Sequence, residues 1–250
     1  MEKKLVKRSG VARVETRAGG NFNPTEGDLA LIARLMPEGA PAPTAADVYV
    51  ASALVCNDLV DHYSTQFTRE ALGEIAELIV GANLMRNHVE YGEEALPIGR
   101  AFTAEVVEVR GQGEKNGLYV RVWFYWERGT EFGEQMAKKI SLAIWREVSL
   151  SWWMRSFTNS IDGKPFDESP YYAGQELPDG QTVVGVMADI VEVNEFSVVS
   201  RGGQKHTSMS PAREGCGSVD LLEAIAGARA RVKQSQGAPD PWGEFWGRQA

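Results

Sequence analysis

The chain contains three histidines, His62, His88 and His206. Imidazole titrates near neutral pH and is the usual general base of enzymes, so these residues mark where acid–base chemistry could occur. His88 stands between a predicted helix and a polar turn, and the run Pro97-Ile-Gly-Arg100 follows it. His206 falls in a polar stretch, where we expect a solvated side chain. His88 is therefore the candidate base.

Two serines supply the candidate nucleophile. Residues 147–154 have the composition of a strand, in which Ser149 and Ser151 point to one face while Val148 and Leu150 point to the other. Hydroxyls on an otherwise apolar strand need partners, so the pattern indicates either a nucleophile or hydroxyl pairing between neighbouring strands. No Gly-x-Ser-x-Gly run occurs, which argues against the nucleophile elbow of an α/β hydrolase.

Two glutamates are candidates for an acid that orients the histidine. Glu192 and Glu195 lie in the valine-rich segment 182–200, which is predicted to form one bent strand or two. A carboxylate there is unfavourable unless it is paired, although an edge strand with solvated charges would also carry it. A regular strand places residues 192 and 195 on opposite faces, and a bulge at Asn194 would remove that distinction. Arg201 and Gly202 follow, as candidate backbone donors to an oxyanion.

A metal site built from Asp61, His62 and His88 is the alternative chemistry, but its spacing matches no recurring ligand motif. Cys56 lies in an apolar run and is expected to be buried, whereas Cys216 lies in a Gly/Ser-rich stretch. Their spacing indicates neither a zinc site nor a disulfide framework. We therefore predict no metal and no cofactor.

The elements that must position these residues follow from apolar spacing, capping residues and turn signals. Thr25, Thr68 and Thr130 are predicted to begin helices that reach residues 36, 80 and 144. Residues 160–180 are predicted to form a surface loop. Strands are predicted at 11–16, 48–55, 98–110, 118–127 and 147–154, with a hairpin turn at 111–117.

Length and composition describe a globular chain. It has 250 residues, of which 43% are hydrophobic and 24% charged, and its net charge of −8 argues against a general nucleic-acid binder. No signal peptide or membrane-spanning run is predicted, so we expect a cytoplasmic protein. We divide it into an arm and helix (1–45), a core (46–207) and a flexible tail (208–250) with one amphipathic helix at 219–232.

The order of the motifs resembles that of the prohead maturation proteases of tailed phages, which are related in fold to the herpesvirus assemblins. The matching features are His88, the Ile-Gly-Arg100 turn, the Ser-x-Ser strand and Glu195-Phe-Ser-Val-Val. The resemblance runs from about residue 48 to residue 203. It implies an α+β fold, with an antiparallel β-barrel surrounded by helices.

The resemblance also implies roles and partners. His88 would be the base, Ser149 the nucleophile and Glu195 the acid. Glu192 is the alternative acid, and Ser151 lies beside the nucleophile. The substrates would be the scaffolding protein, the scaffold-like segment of the major capsid protein and the protease itself, inside the assembling procapsid in the host cytoplasm. Self-association is an open alternative, and a catalytically silent procapsid or virion structural protein on the same fold is the competing interpretation.

Overall fold

The computed structural model describes residues 22–89, 92, 95–109 and 116–211. Several predictions from the sequence lie outside these residues: the strand at 11–16, nearly all of the hairpin turn at 111–117, the surroundings of Cys216 and the tail helix at 219–232. None of the described helices is long and apolar enough to cross a membrane.

Three α-helices begin where their threonine caps predict. They are α1 (Glu26–Ala33), α2 (Arg69–Leu78) and α3 (Glu131–Ser141). In each case the threonine hydroxyl accepts a hydrogen bond from the backbone N–H three residues later, which satisfies one of the open donors of the first turn. The predicted helices are confirmed, and each ends two or three residues earlier than its apolar pattern suggests.

The described residues also form eight strands. They are β1 (Val48–Asn57), β2 (Thr65–Phe67), β3 (Asn83–Arg86), β4 (Gly99–Val109), β5 (Gly117–Glu127), β6 (Glu147–Asn159), β7 (Gly185–Val199) and β8 (Ser208–Pro211). A short 3-10 helix, Phe166–Glu168, lies in the connection between β6 and β7. The valine-rich segment is thus one long strand, and the serine-bearing strand is five residues longer than predicted.

The strands belong to one sheet whose order is β2-β7-β3-β4-β5-β1-β8, with β6 also paired to β7. β7 is the longest strand; β2 and β3 pair with it in parallel and β6 pairs with it antiparallel. The predicted α+β class is confirmed. The sheet is open, although the N–H of Met209 donates to the carbonyl oxygen of Arg146 at 2.7 Å between β8 and the start of β6.

The main hydrophobic core lies between the sheet and the helices α2 and α3. Leu72, Ile75, Phe124, Met136 and Phe196 are fully buried in it. A smaller cluster packs Ile32 of α1 against β1, β4 and β5. These contacts hold the sheet on which the candidate site is built.

Two further predictions from the sequence concern residues of this core. Cys56 is fully buried, as predicted, and burial raises the pKa of its thiol, which stays protonated. β8 pairs with β1, and Met209 is buried in the core, so the sheet extends past the domain boundary expected at residue 207.

Candidate active site

His88 is held at the end of β3 by a turn of unusual backbone conformation. Asn87 and His88 have φ angles of 54° and 53°, in the left-handed region that non-glycine residues seldom occupy. Two hydrogen bonds to β7 stabilise this turn: Asn87 N–H donates to the Val198 carbonyl at 3.0 Å, and His88 N–H donates to Ser197 Oγ at 3.1 Å. Strained residues that neighbours hold in place are frequent at functional sites.

Glu195 orients the imidazole. Its Oε1 lies 2.5 Å from His88 Nδ1, and its Oε2 accepts a hydrogen bond from Ser197 Oγ at 2.6 Å. The carboxylate is the acceptor, so in the neutral imidazole the proton sits on Nδ1 and Nε2 has a lone pair to accept another proton. The carboxylate side chain is 16% exposed and the imidazole 37% exposed, so the pair lies at the surface of the sheet rather than within the core.

Ser149 lies on the same face of the sheet as this pair. In the antiparallel register of β6 and β7, Ser149 is opposite Ser197 and Ser151 is opposite Glu195, and residues directly opposite share a face. Ser149 is half-buried. No hydrogen bond joins Ser149 to His88 among the described residues; in apo enzymes such catalytic contacts often tighten only once substrate is bound.

A β-bulge in β7 changes the expected geometry of the two glutamates. Ser151 pairs with Glu195 but Trp152 pairs with Val193, so Asn194 is an extra residue in the ladder. The next pair joins Trp153 to Glu192, which puts Glu192 on the same face as Glu195. The expectation that the two glutamates face opposite sides was therefore wrong.

The polar side chains around the bulge differ in their contacts. Glu192 is exposed and lies further along the face, while the imidazole contacts Glu195. The Asn194 side chain donates to Ser151 Oγ at 3.2 Å, so the Ser151 hydroxyl has a partner that stabilises the bulge.

One of the two expected oxyanion donors, the Gly202 amide, is engaged elsewhere. Gly202 N–H donates to Glu147 Oε2 at 2.8 Å, and a Cβ at this position would lie 2.7 Å from the Val148 carbonyl oxygen, so only glycine fits there. The Arg201 guanidinium lies 3.3 Å from His62 Nδ1. The structure therefore does not bring the Gly202 amide to Ser149 as a free donor.

The residues of the alternative metal site do not come together. Asp61 is buried and hydrogen-bonds to Thr65 and Gln204, and His62 turns toward Arg201, whereas His88 contacts Glu195. Within the described residues, no group of three or more His, Cys, Asp or Glu side chains could hold a metal ion.

Ser197 is the site residue that the sequence analysis did not identify. It is fully buried, and it bonds both to the Glu195 carboxylate and to the backbone of His88. Its signal was present in the sequence, because it follows Glu195 by two residues and a strand places such residues on one face.

No protein-family model, curated protein or solved structure matches this chain. The candidate active site is therefore defined by the contacts among His88, Glu195 and Ser197 and by the register that places Ser149 beside them.

Proposed function

We propose that the protein is a serine endopeptidase in which Ser149 is the nucleophile, His88 the general base and Glu195 the orienting acid. The observation that carries this proposal is the bond between His88 Nδ1 and Glu195 Oε1, formed by residues 107 positions apart in the chain. A solvated edge-strand carboxylate would have no such partner. The buried Ser197 hydroxyl fixes the second carboxylate oxygen, so the acid is held in one orientation.

The reaction would follow the usual steps of acyl transfer. Ser149 Oγ attacks the carbonyl carbon of the peptide bond while His88 Nε2 takes the hydroxyl proton. The C–N bond then breaks and His88 returns that proton to the leaving amine, which leaves an acyl group on Ser149. Water attacks the acyl carbonyl carbon and gives up a proton to His88. The bond between that carbon and Ser149 Oγ then breaks, the peptide leaves as its carboxylic acid, and His88 returns the proton to Ser149 Oγ. Throughout, Glu195 stabilises the imidazolium and holds its orientation.

The oxyanion donor of the proposed reaction is the backbone amide of Arg201. The Gly202 amide could join it only after releasing Glu147, to which it donates at 2.8 Å. Binding of a substrate carbonyl would then compete with the Glu147 carboxylate for this amide. Such competition makes the resting state a poor catalyst and the substrate complex a better one.

The proposed substrates follow from the motif order described above, which resembles that of phage prohead proteases. They are the scaffolding protein or the scaffold-like segment of the major capsid protein, and the protease itself, inside the assembling procapsid. The finer fold expectation, a closed antiparallel barrel, is part of the same proposal. The backbone bond from Met209 to Arg146 supports it, because it links β8 to the start of the β6 strand across the open side of the sheet.

The test is co-expression of the full chain with the cognate capsid and scaffolding proteins, followed by intact mass measurement. Wild-type protein should yield discrete truncated products. Ser149→Ala, which removes one hydroxyl and adds no bulk, should yield none, while Ser151→Ala should be only mildly impaired. Loss of cleavage in Ser151→Ala with normal cleavage in Ser149→Ala would show that the nucleophile is Ser151 and that the proposed assignment is wrong.

The second candidate is a catalytically silent procapsid or virion structural protein. Two observations favour it. No hydrogen bond joins Ser149 to His88 among the described residues, and the Gly202 amide donates to Glu147 instead of pointing to Ser149 as a free donor. It predicts that the wild-type chain is incorporated into particles while every partner keeps its full-length mass.

A further inference from the structure

A polar cavity with a volume of about 340 Å³ lies at the start of β6, the strand that carries Ser149. It is enclosed by the start of β6, the connection between β7 and β8, and the segment that carries His62. The backbone closes it on two sides: His62 N–H donates to the Gly203 carbonyl at 3.2 Å, and Met209 N–H donates to the Arg146 carbonyl at 2.7 Å. Of the side chains of this cavity, the proposed chemistry at Ser149 involves only Glu147, through its bond to the Gly202 amide.

The cavity is cationic within an acidic protein. Two guanidinium groups, from Arg146 and Arg201, face the one carboxylate of Glu147, and the imidazoles of His62 and His206 complete the lining. One oxygen of that carboxylate already accepts from Gly202 N–H. Since the chain as a whole carries a net charge of −8, this local excess of positive charge favours a negatively charged ligand group.

Two buried side chains in the wall have unsatisfied polar atoms. Gln204 is 8% exposed and Thr207 5% exposed, and Gln204 Oε1 and Thr207 Oγ1 have no hydrogen-bond partner. The orientation of the Gln204 amide is defined, because its nitrogen donates to Asp61 Oδ2 at 3.1 Å and a carboxylate only accepts. Gln204 Oε1 can therefore accept a hydrogen bond from a donor such as a peptide N–H.

The cavity lies close to the proposed nucleophile along β6. Glu147, in the cavity wall, and Ser149 lie on the same face of β6 two residues apart, a spacing of about 7 Å along a strand. A substrate residue one or two positions from the cleaved bond spans that distance.

We propose that this cavity is a substrate subsite for an aspartate or glutamate side chain of the peptide, one or two residues from the cleaved bond. This rests on the proposed function, because it names the substrate class of the same site. The guanidinium groups of Arg146 and Arg201 bind the carboxylate, and Gln204 Oε1 accepts a peptide N–H. A singly charged carboxylate suits the cavity better than a phosphate dianion, which the nearby Glu147 would repel more strongly.

The binding test uses the full-length Ser149→Ala chain, so that it does not depend on cleavage. The probe is N-acetyl-glutamate N-methylamide, which has one carboxylate between two peptide groups; the glutamine analogue is the matched control. The glutamate probe should shift the NMR signals of the His62 and His206 imidazoles saturably, and the glutamine probe should not. Arg201→Gln, or Arg146→Gln if the first does not fold, should weaken binding by about tenfold or more.

Arg155→Gln is the control substitution, because Arg155 is a half-exposed arginine on β6 that pairs with Asp189, away from the cavity. It should leave binding unchanged. Equal shifts with both probes, no shift with either, or inorganic phosphate binding in place of the glutamate probe would overturn the proposal.

A peptide-cleavage assay distinguishes failure of the proposed subsite from failure of the proposed protease function. Wild-type protein should cut peptides with Glu near the bond at least about tenfold faster than their Gln counterparts, and Arg201→Gln should abolish that preference. Cleavage with no preference and no imidazole shifts would reject the subsite and retain the protease. Imidazole shifts without any peptide cleavage would reject the protease and leave a carboxylate-binding site that is not a substrate subsite.

Discussion

Two carboxylates near histidines are held in opposite ways in this protein. Asp61, the neighbour of His62 in the sequence, is buried and accepts four hydrogen bonds: from the N–H groups of Tyr63 and Thr65, the Thr65 hydroxyl and the Gln204 amide. Glu195 accepts from one serine hydroxyl and contacts one imidazole at the surface. A carboxylate surrounded by fixed donors stabilises a loop, whereas one bonded to a titratable ring can take part in chemistry.

The largest expected effect of this contrast is on catalysis by Glu195→Gln. The amide can no longer hold the His88 tautomer, and the comparable change in a known serine-protease triad lowers the rate by about 10⁴-fold. The measurement is kcat/KM on a cleaved peptide, with circular dichroism to confirm the fold. Glu192→Gln, on the same face but exposed, is the matched control and should stay within about threefold of wild type, as single exposed substitutions usually do. If Glu192→Gln is the inactive variant, the acid of the triad is Glu192.

A smaller loss is expected for Ser197→Ala. The substitution removes the donor to Glu195 Oε2 and the acceptor of His88 N–H, so the acid and the base lose their common anchor. Loss of a hydrogen bond to a charged group corresponds to about a tenfold to hundredfold fall in kcat. Steady-state kinetics should show this fall with KM unchanged. A rise in KM at constant kcat would show that Ser197 acts on substrate binding instead.

Asp61→Asn should affect stability and spare catalysis. An asparagine keeps one acceptor oxygen but turns an amide toward donors, which costs about 1–3 kcal/mol of unfolding free energy. Thermal unfolding should show a lower midpoint, and kcat/KM below that midpoint should stay within about threefold of wild type. An unchanged midpoint together with a loss of activity as large as that of Glu195→Gln would move the acid role to Asp61.

The smallest effects are expected from shortening the chain. A chain ending at residue 211 should unfold at the same temperature as the full chain, because the composition of residues 212–250 shows little core-forming pattern outside the predicted tail helix. A chain ending at residue 207 loses β8 and the buried Met209, so its midpoint should fall by a few degrees. The shortened chain should lose the hydrogen bond between Gln204 and Asp61 at a lower temperature than the bond between His88 and Glu195. Equal midpoints for the two shortened chains would show that β8 adds nothing to the fold.

The helices and the five long strands of this fold were predicted from the sequence because their signals are local, whereas the short strands β2, β3 and β8 were not predicted. Thr25, Thr68 and Thr130 cap helices by bonding to residues three positions away, and the apolar faces of α2 and α3 follow the helical period. The pairing of His88 with Glu195 was predicted from the order of the motifs. Local spacing alone would not have shown it, since the two residues are 107 positions apart.

The remaining features depend on pairing between distant strands. The sequence offered Asn194 as the site of a bulge, but only the register with β6 establishes it, and the bulge reverses the face expected for Glu192. The parallel pairing of β2 and β3 with β7 has no local signal either. The cationic cavity combines residues near positions 62, 146 and 201–207, which no motif connects.

The pairing of β7 with β2, β3 and β6 determines when the candidate site can form during synthesis of the chain. β2 and β3, and the turn that carries His88, emerge from the ribosome long before the strand that holds them. At typical translation rates, the 107 residues between His88 and Glu195 take roughly 5–20 s to synthesise. A nascent chain therefore has a histidine without its acid for that interval. A hydrolytic centre on this sheet would stay inactive until the whole core has left the ribosome.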